Sequence, residues 1–290
     1  GSTMVEQIMG SGVSARVAGL LALGNQVTAN SSACSTGTEA IVEGYRRIKA
    51  GRARRMLCGG TEGSSHYIWA GFDAMRVLAR KFNEEPARAS RPLSASAAGF
   101  VPASGAGILL LENLEDAVSR EARIYGEVLG GNINCGGHRQ GGSMTAPNPE
   151  GVQMCIRGAV EDSGIEVAEI DAINGHLTAT GADSNEVLSW SKALGLGPEQ
   201  FPLITSTKSM IGHALGAAGA LESVACMLML DGGFVHPSIN CEDVHPKVEQ
   251  FSASIPHTVE EVPRLNTIIK AGFGFGDVNV AVVLRKWLNN

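Results

Sequence analysis

Short apolar runs alternate with helical patterns along most of this chain, and this alternation restricts the fold more than any other feature. Such alternation is typical of α/β proteins. It predicts strands at 27–31, 55–58, 107–111, 171–174, 203–205, 267–271 and 279–284. It predicts helices at 36–49, 114–120, 151–163, 183–193 and 213–230, and irregular segments at 81–98 and 130–149. We therefore expect an α/β fold whose strand ends are available for chemistry.

The composition excludes several classes of protein. Apolar residues make up 44% of the 290 residues and charged residues 18%, which argues against a disordered or fibrous chain. A net charge of -6 argues against nucleic acid as the main partner, because phosphate binding needs a basic surface. The six scattered cysteines form no CxxC pair, which predicts reduced thiols in a cytoplasmic protein. The apolar segment 214–230 contains Glu222, so we expect a buried helix there and no membrane insertion.

The segment 30–40, NSSACSTGTEA, places a cysteine between a predicted strand and a predicted helix. Cys34 would then lie near a helix N-terminus, where free backbone N–H groups and the helix dipole favour an anion. We expect a lowered thiol pKa and a better nucleophile at that position. A buried structural cysteine is the alternative, and this context alone makes the two interpretations about equally good.

Two histidines follow predicted strands in similar turns. His176 stands in INGHLTATGAD (173–183), and His213 stands in STKSMIGHALGAAG (206–219). Strand ends are common positions for reactive groups in α/β proteins, although a satisfied core histidine is equally expected. Glu222 would need a partner if it were buried, and Lys208 is the obvious one.

The segment 271–279, AGFGFGDVN, is a poor dinucleotide loop because its glycine spacing is wrong and no helix follows. It is better explained as a glycine-hinged loop that presents aromatic rings and backbone N–H groups to a pocket.

These segments together resemble the β-ketoacyl-acyl-carrier-protein synthases, and in particular the type II elongating ketosynthases. The resemblance runs from about Val13 to Trp287 and is most specific at SSACSTG, STKSMIGHALGAAGALES and GFGFGDVN. It implies a thiolase-like fold of two pseudo-twofold-related βαβ-rich halves in α-β-α-β-α layers. The halves would be 1–122, with the nucleophile, and 123–290, with both histidines. Because only 33 residues precede the cysteine, the resemblance implies an N-terminal half truncated at its start, and the activity of this chain alone stays open.

The implied reaction is a decarboxylative Claisen condensation that gives 3-oxoacyl-acyl carrier protein in fatty-acid or polyketide synthesis. The resemblance implies that Cys34 holds the acyl group and that backbone N–H groups of Cys34 and Phe275 form the oxyanion hole. Phe275 would also be the gate that admits the second substrate. His176 and His213 would stabilise the enolate as donors from neutral rings.

The resemblance also assigns supporting and binding residues. Lys208 and Glu222 would form the supporting charged pair, and Thr178 and Thr180 would contact the phosphopantetheine arm. The carrier protein would dock on a basic surface made by Arg76, Arg80 and Lys81, with the basic run 46–55 as a second candidate that is more simply explained as a solvated helix end.

The expected partners are acyl carrier protein, acyl and malonyl thioesters, and a second copy of the chain in a homodimer. No metal or redox cofactor is expected. Three positions depart from the family pattern: Leu177 replaces a small residue, and Asp277 and Val278 replace glycine and threonine.

Two other functions remain as alternatives. A thiolase would need a second cysteine in the C-terminal loop, and 271–279 has none. A non-catalytic partner subunit of the chain-length type would generally lack the cysteine that stands at Cys34. The sequence does not indicate the acyl-chain length or the pathway.

Overall fold

The computed structural model describes residues 3–288 and shows an α/β protein with nine helices and nine strands in that range. The helices are α1 (Met4–Ile8), α2 (Gly12–Leu20), α3 (Thr36–Lys49), α4 (His66–Ala74), α5 (Leu114–Ser119), α6 (Pro149–Ser163), α7 (Asp183–Leu194), α8 (Lys208–Ile211) and α9 (Ala218–Gly232). The strands are β1 (Arg55–Glu62), β2 (Gly105–Glu112), β3 (Gly126–Cys135), β4 (Ala172–Asn174), β5 (Leu203–Thr205), β6 (Phe234–Val235), β7 (Glu260–Glu261), β8 (Thr267–Gly274) and β9 (Val278–Lys286).

The main sheet has five strands in the order β3-β9-β8-β4-β5. Strands β3, β9 and β8 are antiparallel, and β8, β4 and β5 are parallel. Every residue of β8 is buried, which explains its nearly continuous apolar sequence. Because β4 and β5 are parallel neighbours, the segments that follow them leave the sheet at the same edge.

Helices and sheets stack in layers around two apolar clusters. Helices α6 and α7 cover one face of the main sheet, and α3 and α9 cover the other. Beyond α3 and α9 lies the two-stranded antiparallel sheet β1–β2. The outer face of the β1–β2 sheet is uncovered, because Ile108 and Leu110 on β2 are 52% and 53% exposed. The described residues therefore form four of the five predicted layers, and the layer that would cover this face is not among them. The predicted division at 122 stays a prediction, and positions 1–2 and 289–290 lie outside the described residues.

Most of the predicted elements are confirmed, but the predicted strand at 27–31 is wrong. That segment is irregular and exposed, and no strand pairs with it within residues 3–288. An apolar run needs a neighbouring strand before its extended backbone becomes part of a sheet. Helices α1, α2, α4 and α8 and strands β3, β6 and β7 were not predicted.

The predicted irregular segment 130–149 is also partly wrong, because β3 continues to Cys135. Gly130 and Gly131 lie inside this strand. A Cβ at Gly130 would come within 2.5 Å of the Ser163 backbone nitrogen in α6, and one at Gly131 within 2.7 Å of Val42 in α3. These glycines therefore allow the close packing of helices on both faces of the strand.

The predicted helix at 213–230 begins later, at Ala218, after a short 3-10 turn at Leu215–Ala217. The backbone of His213 pairs with Val101 and Ala103, and Leu215 has a φ of 47°, so neither residue can be helical. By length and composition alone, Leu215–Gly232 could cross a membrane, but 61% of this segment is buried. Helix α9 packs between the two sheets, as the prediction of a buried helix requires.

Candidate active site

Cys34 lies in a tight 3-10 turn, Ala33–Ser35, directly before α3. Ala33 has a φ of 50°, a left-handed conformation that is uncommon for alanine. The Thr36 hydroxyl donates to the Ala33 carbonyl at 2.7 Å, and the Ser35 hydroxyl contacts the carbonyls of Gly272 in β8 and Val278 in β9 at 3.0 and 2.9 Å. These bonds hold the cysteine turn against the loop between the two strands.

The predicted lowering of the Cys34 pKa is wrong. Burial raises the pKa of the thiol to about 11, which outweighs the lowering effects of Lys208 and of the backbone N–H of Phe275. Desolvation of the sulfur is the largest effect on this pKa, although Cys34 as a whole residue is partly exposed and lines a cavity. The free protein therefore carries Cys34 as a protonated thiol at neutral pH.

The two predicted histidines meet at this thiol. The Cys34 sulfur and one ring nitrogen from each of His176 and His213 lie within 4.8 Å of one another. The two imidazole rings are 5.4 Å apart and almost perpendicular. His176 follows β4 directly, and His213 lies beyond α8 after β5, so the parallel pairing of β4 and β5 brings them together.

Both imidazoles are neutral at physiological pH. Burial lowers the pKa of His176 and of His213 well below the usual range, and the positive charge of Lys208 lowers both further. The Nδ1 atom of His213 accepts the backbone N–H of Leu215 at 3.2 Å. A neutral His213 with an accepting Nδ1 carries its proton on Nε2, which makes Nε2 a donor toward the site.

The predicted Lys208–Glu222 pair is present and buried. The Lys208 ammonium donates to Glu222 Oε1 and, at 2.6 Å, to the His176 backbone carbonyl. The sequence analysis missed a third member: Lys270 of β8 lies 2.6 Å from Glu222 Oε2 and is fully buried. A lysine inside the otherwise apolar run 267–273 was the signal that could have identified it.

A cavity of about 310 Å³ opens beside Cys34. Phe275 and Phe72 line it, and their rings are 6.2 Å apart. Phe100 packs between Phe72 and His213, with ring distances of 5.1 and 5.2 Å. The predicted gate residue is therefore part of an aromatic cluster that separates the histidines from the cavity.

The turn after His176 is organised by two buried carboxylates that the sequence analysis missed. Glu186 accepts the backbone N–H groups of His176 and Leu177 at 2.6 and 2.8 Å, and burial raises its pKa to about 7. Asp183 accepts the N–H of Thr178 at 2.8 Å. The hydroxyls of Thr178 and Thr180, the predicted pantetheine contacts, lie side by side at 3.0 Å. Acidic residues seven and ten positions after a histidine, at the start of a helix, were the available signal.

Asp277, which departs from the family pattern, lies two residues after Phe275 in the same loop, and its side chain is fully buried. Its carboxylate accepts the backbone N–H groups of His138 and Asn148 at 2.9 and 2.8 Å. The Gly276 N–H also donates to the Met144 carbonyl at 2.9 Å. Asp277 thus connects the loop that carries Phe275 to the segment 136–148, a contact that needed tertiary information to find.

The predicted docking residues Arg76, Arg80 and Lys81 are exposed. Arg80 pairs with Asp73 at 2.8 Å, and no ion pair is seen for Arg76 or Lys81 within residues 3–288. In the basic run 46–55, by contrast, four side chains pair with acidic neighbours: Arg46, Lys49, Arg54 and Arg55. These pairs support the simpler explanation of that run as a solvated helix end.

The fold and this geometry define a thiolase-like protein with a Cys-His-His site. Family models for the β-ketoacyl synthase N-terminal and C-terminal domains match residues 1–117 and 125–242. The chain is 38% identical to 3-oxoacyl-[acyl-carrier-protein] synthase 2 of Rhizobium meliloti over 88% of this chain and 60% of that protein. It is 36% identical to synthase 1 of Escherichia coli over 99% of this chain and 68% of that protein.

Solved ketosynthase structures share the fold. One is a type II polyketide ketosynthase in complex with its acyl-carrier protein, with a TM-score of 0.92 and 31% identity over 99% of this chain and 70% of that one. Another is a β-ketoacyl synthase from Burkholderia phymatum, with a TM-score of 0.92, 29% identity and coverage of 99% and 68%. The chain therefore belongs to the β-ketoacyl synthase family, and the thiolase-like fold is confirmed. It spans three fifths of the length of the first relative named above.

Proposed function

We propose that this protein is a condensing enzyme, a β-ketoacyl-acyl-carrier-protein synthase. The observation that carries the proposal is the meeting of the Cys34 thiol with His176 and His213 beside a cavity of about 310 Å³. The family membership and the names of the relatives support it. The cysteine favours this function over that of a non-catalytic partner subunit, and the segment 271–279 contains no second cysteine of the kind a thiolase needs.

In the first half-reaction, Cys34 attacks an acyl thioester on acyl carrier protein. A bond forms between sulfur and the acyl carbon, and the phosphopantetheine thiol leaves with the proton that Cys34 gives up. The backbone N–H groups of Cys34 and Phe275 face the sulfur, which suits them to stabilise the oxyanion.

In the second half-reaction, malonyl-acyl carrier protein loses carbon dioxide and the resulting enolate attacks the acyl carbon on Cys34. Neutral His176 and His213 stabilise the enolate oxygen by donating ring N–H groups. The N–H of a neutral imidazole is a much weaker acid than that of an imidazolium, so it does not protonate the carbanion. The C–S bond breaks, the Cys34 sulfur takes up a proton from solvent to restore the thiol, and 3-oxoacyl-acyl carrier protein leaves. Thr178 and Thr180 hold the phosphopantetheine arm, and Phe275 moves to admit the second substrate.

The proposal includes a cytoplasmic homodimer that works without a metal or redox cofactor. Activity that survives dialysis against a chelator is the expected result for the metal-free mechanism.

Intact-mass spectrometry after incubation with acyl-acyl carrier protein tests the nucleophile. We expect a mass increase of one acyl group on the wild-type chain and none on Cys34→Ala. Cys135→Ala is the matched control, because Cys135 is an exposed thiol outside the site and should leave the adduct unchanged. An adduct on Cys34→Ala, or none on the wild-type chain, would contradict the proposed nucleophile.

A further inference from the structure

A buried lysine outside the predicted constellation, Lys270, shares the carboxylate of Glu222 with Lys208. Each ammonium takes one carboxylate oxygen: Lys208 contacts Oε1, and Lys270 lies 2.6 Å from Oε2. All three side chains are at most 2% exposed. Lys270 also donates to the carbonyl of Ala271, its neighbour in β8.

The stability of the fold gives no reason for this second lysine. One carboxylate neutralises one ammonium, so the ionised triad carries a surplus positive charge inside the core. Burying an ammonium costs several kcal/mol, and an apolar side chain of similar shape would fill the same space at a lower cost. Burial lowers the pKa of Lys270, and Glu222 opposes this by raising it. A buried lysine that carries such a cost inside β8 points to a role at the adjacent site.

The triad is connected to the reacting groups by a short chain of contacts. Glu222 is held on both oxygens and therefore fixes the Lys208 ammonium, which donates to the His176 carbonyl at 2.6 Å. In the sheet, Lys270 lies directly beside Asn174, two residues before His176. The Lys270 side chain thus reaches His176 through the ion triad, and its backbone belongs to the strand that pairs with the one leading to His176.

The surplus charge also acts on the histidines. After burial and Lys208, the positive charge of Lys270 is a further cause of the low pKa of His213, and it contributes to that of His176. The charged and titratable groups that face Lys270 are Glu222 and Cys226 from α9 and Lys208 from α8. Burial raises the pKa of Cys226 to about 12, so this neighbour is a neutral thiol at neutral pH.

We propose that Lys270 is a positioning residue of the condensation reaction: it anchors the second oxygen of Glu222, so that Lys208 holds His176, and it supplies the surplus positive charge behind both histidines. This inference rests on the function proposed above. It assigns to Lys270 of β8 the task of holding the second oxygen of Glu222, which the Lys208–Glu222 pair leaves without an ion-pair partner.

The test compares Lys270→Met, which removes the charge but keeps the length, with Lys270→Gln, which keeps a donor. Lys192→Met, an exposed lysine of α7, is the matched control. We expect kcat for condensation to fall by between about tenfold and a hundredfold in Lys270→Met, with KM for the carrier substrate unchanged. Loss of a nearby positive charge raises the histidine pKa values, so the acidic limb of the pH–rate profile should move to higher pH.

A readout independent of turnover separates this inference from the proposed function. NMR titration of ¹³C-labelled histidine, assigned with His176→Asn and His213→Asn, should show both rings protonating at higher pH in Lys270→Met than in the wild type. If the wild type forms no acyl adduct, the proposed function fails, while the titration still tests Lys270. An unchanged acidic limb and unchanged titration in folded Lys270→Met would overturn the inference. Failure of both variants to fold would overturn it as well, because Lys270 would then serve only the core.

Discussion

At the residue scale, the site works with groups whose ionisation is set by burial. Cys34 follows a helix start that favours an anion, yet burial keeps its thiol protonated. The same burial keeps His176 and His213 neutral. A protonated thiol and two neutral rings carry no net charge among themselves, so the positive charge next to them comes from the lysines of the buried triad.

The thiol pKa of about 11 makes a direct prediction for alkylation. Because only the thiolate reacts, the rate of Cys34 alkylation by iodoacetamide should rise about tenfold for each pH unit from 7 to 10. Peptide mass spectrometry separates Cys34 from the exposed Cys135, and Cys34→Ala is the control. A rate that levels off near pH 7 would show that the thiol is already ionised in the folded protein.

At the scale of elements, the site depends on how closely the strands and helices approach. The parallel pair β4–β5 brings the two histidine segments to one edge, and the Ser35 hydroxyl ties the cysteine turn to β8 and β9. Glycines in β3 allow α6 to lie directly on the strand. The positions of the reactive groups therefore follow from backbone packing as much as from the residues of the site.

Gly130→Ala should destabilise the protein, because the new Cβ would come within 2.5 Å of the Ser163 backbone nitrogen. We expect the free energy of unfolding to fall by about 1–3 kcal/mol. Thermal or urea unfolding measures the change. Gly197→Ala is the matched control, since a Cβ there meets nothing within 4 Å. Equal stability of the two variants would contradict the close packing of β3 against α6.

At the scale of the whole molecule, the distribution of charge matters more than its sum. The chain carries -6 overall, but Arg76 and Lys81 are exposed basic groups on the segment between α4 and β2. The basic run at 46–55 is largely neutralised by its acidic neighbours. An acidic carrier protein would therefore be attracted more strongly to the first surface than to the second.

Charge reversal in Arg80→Glu/Lys81→Glu should raise the apparent KM for the carrier substrate several-fold at low salt, with a smaller effect at high salt because ions screen exposed charges. Steady-state kinetics at two ionic strengths checks this. The control Arg157→Glu/Lys192→Glu makes the same change in net charge on α6 and α7, and should leave KM unchanged. No change at low salt in the first variant would remove both residues from the docking surface.

The sequence by itself determined the fold class, most of the elements and the candidate residues of the site. Helix α3 and strand β5 have the bounds that their periodicity predicts, because each carries its own apolar pattern and end signals. Cys34, His176, His213, Lys208 and Glu222 were identified from local motifs, and the structure brings all five into one site.

Tertiary structure alone decided what depends on surroundings. The segment 27–31 has strand-like residues but no partner strand within residues 3–288. The glycines of β3 are explained by the close approach of α6 and α3, which the sequence does not show. Three further features depend on residues that are far apart in sequence. They are the direction of the Cys34 pKa shift, the sharing of Glu222 between Lys208 and Lys270, and the contact of Asp277 with 136–148. A motif specifies which group is present, whereas burial and long-range neighbours decide its charge, because the cost of desolvation is a property of the packed core.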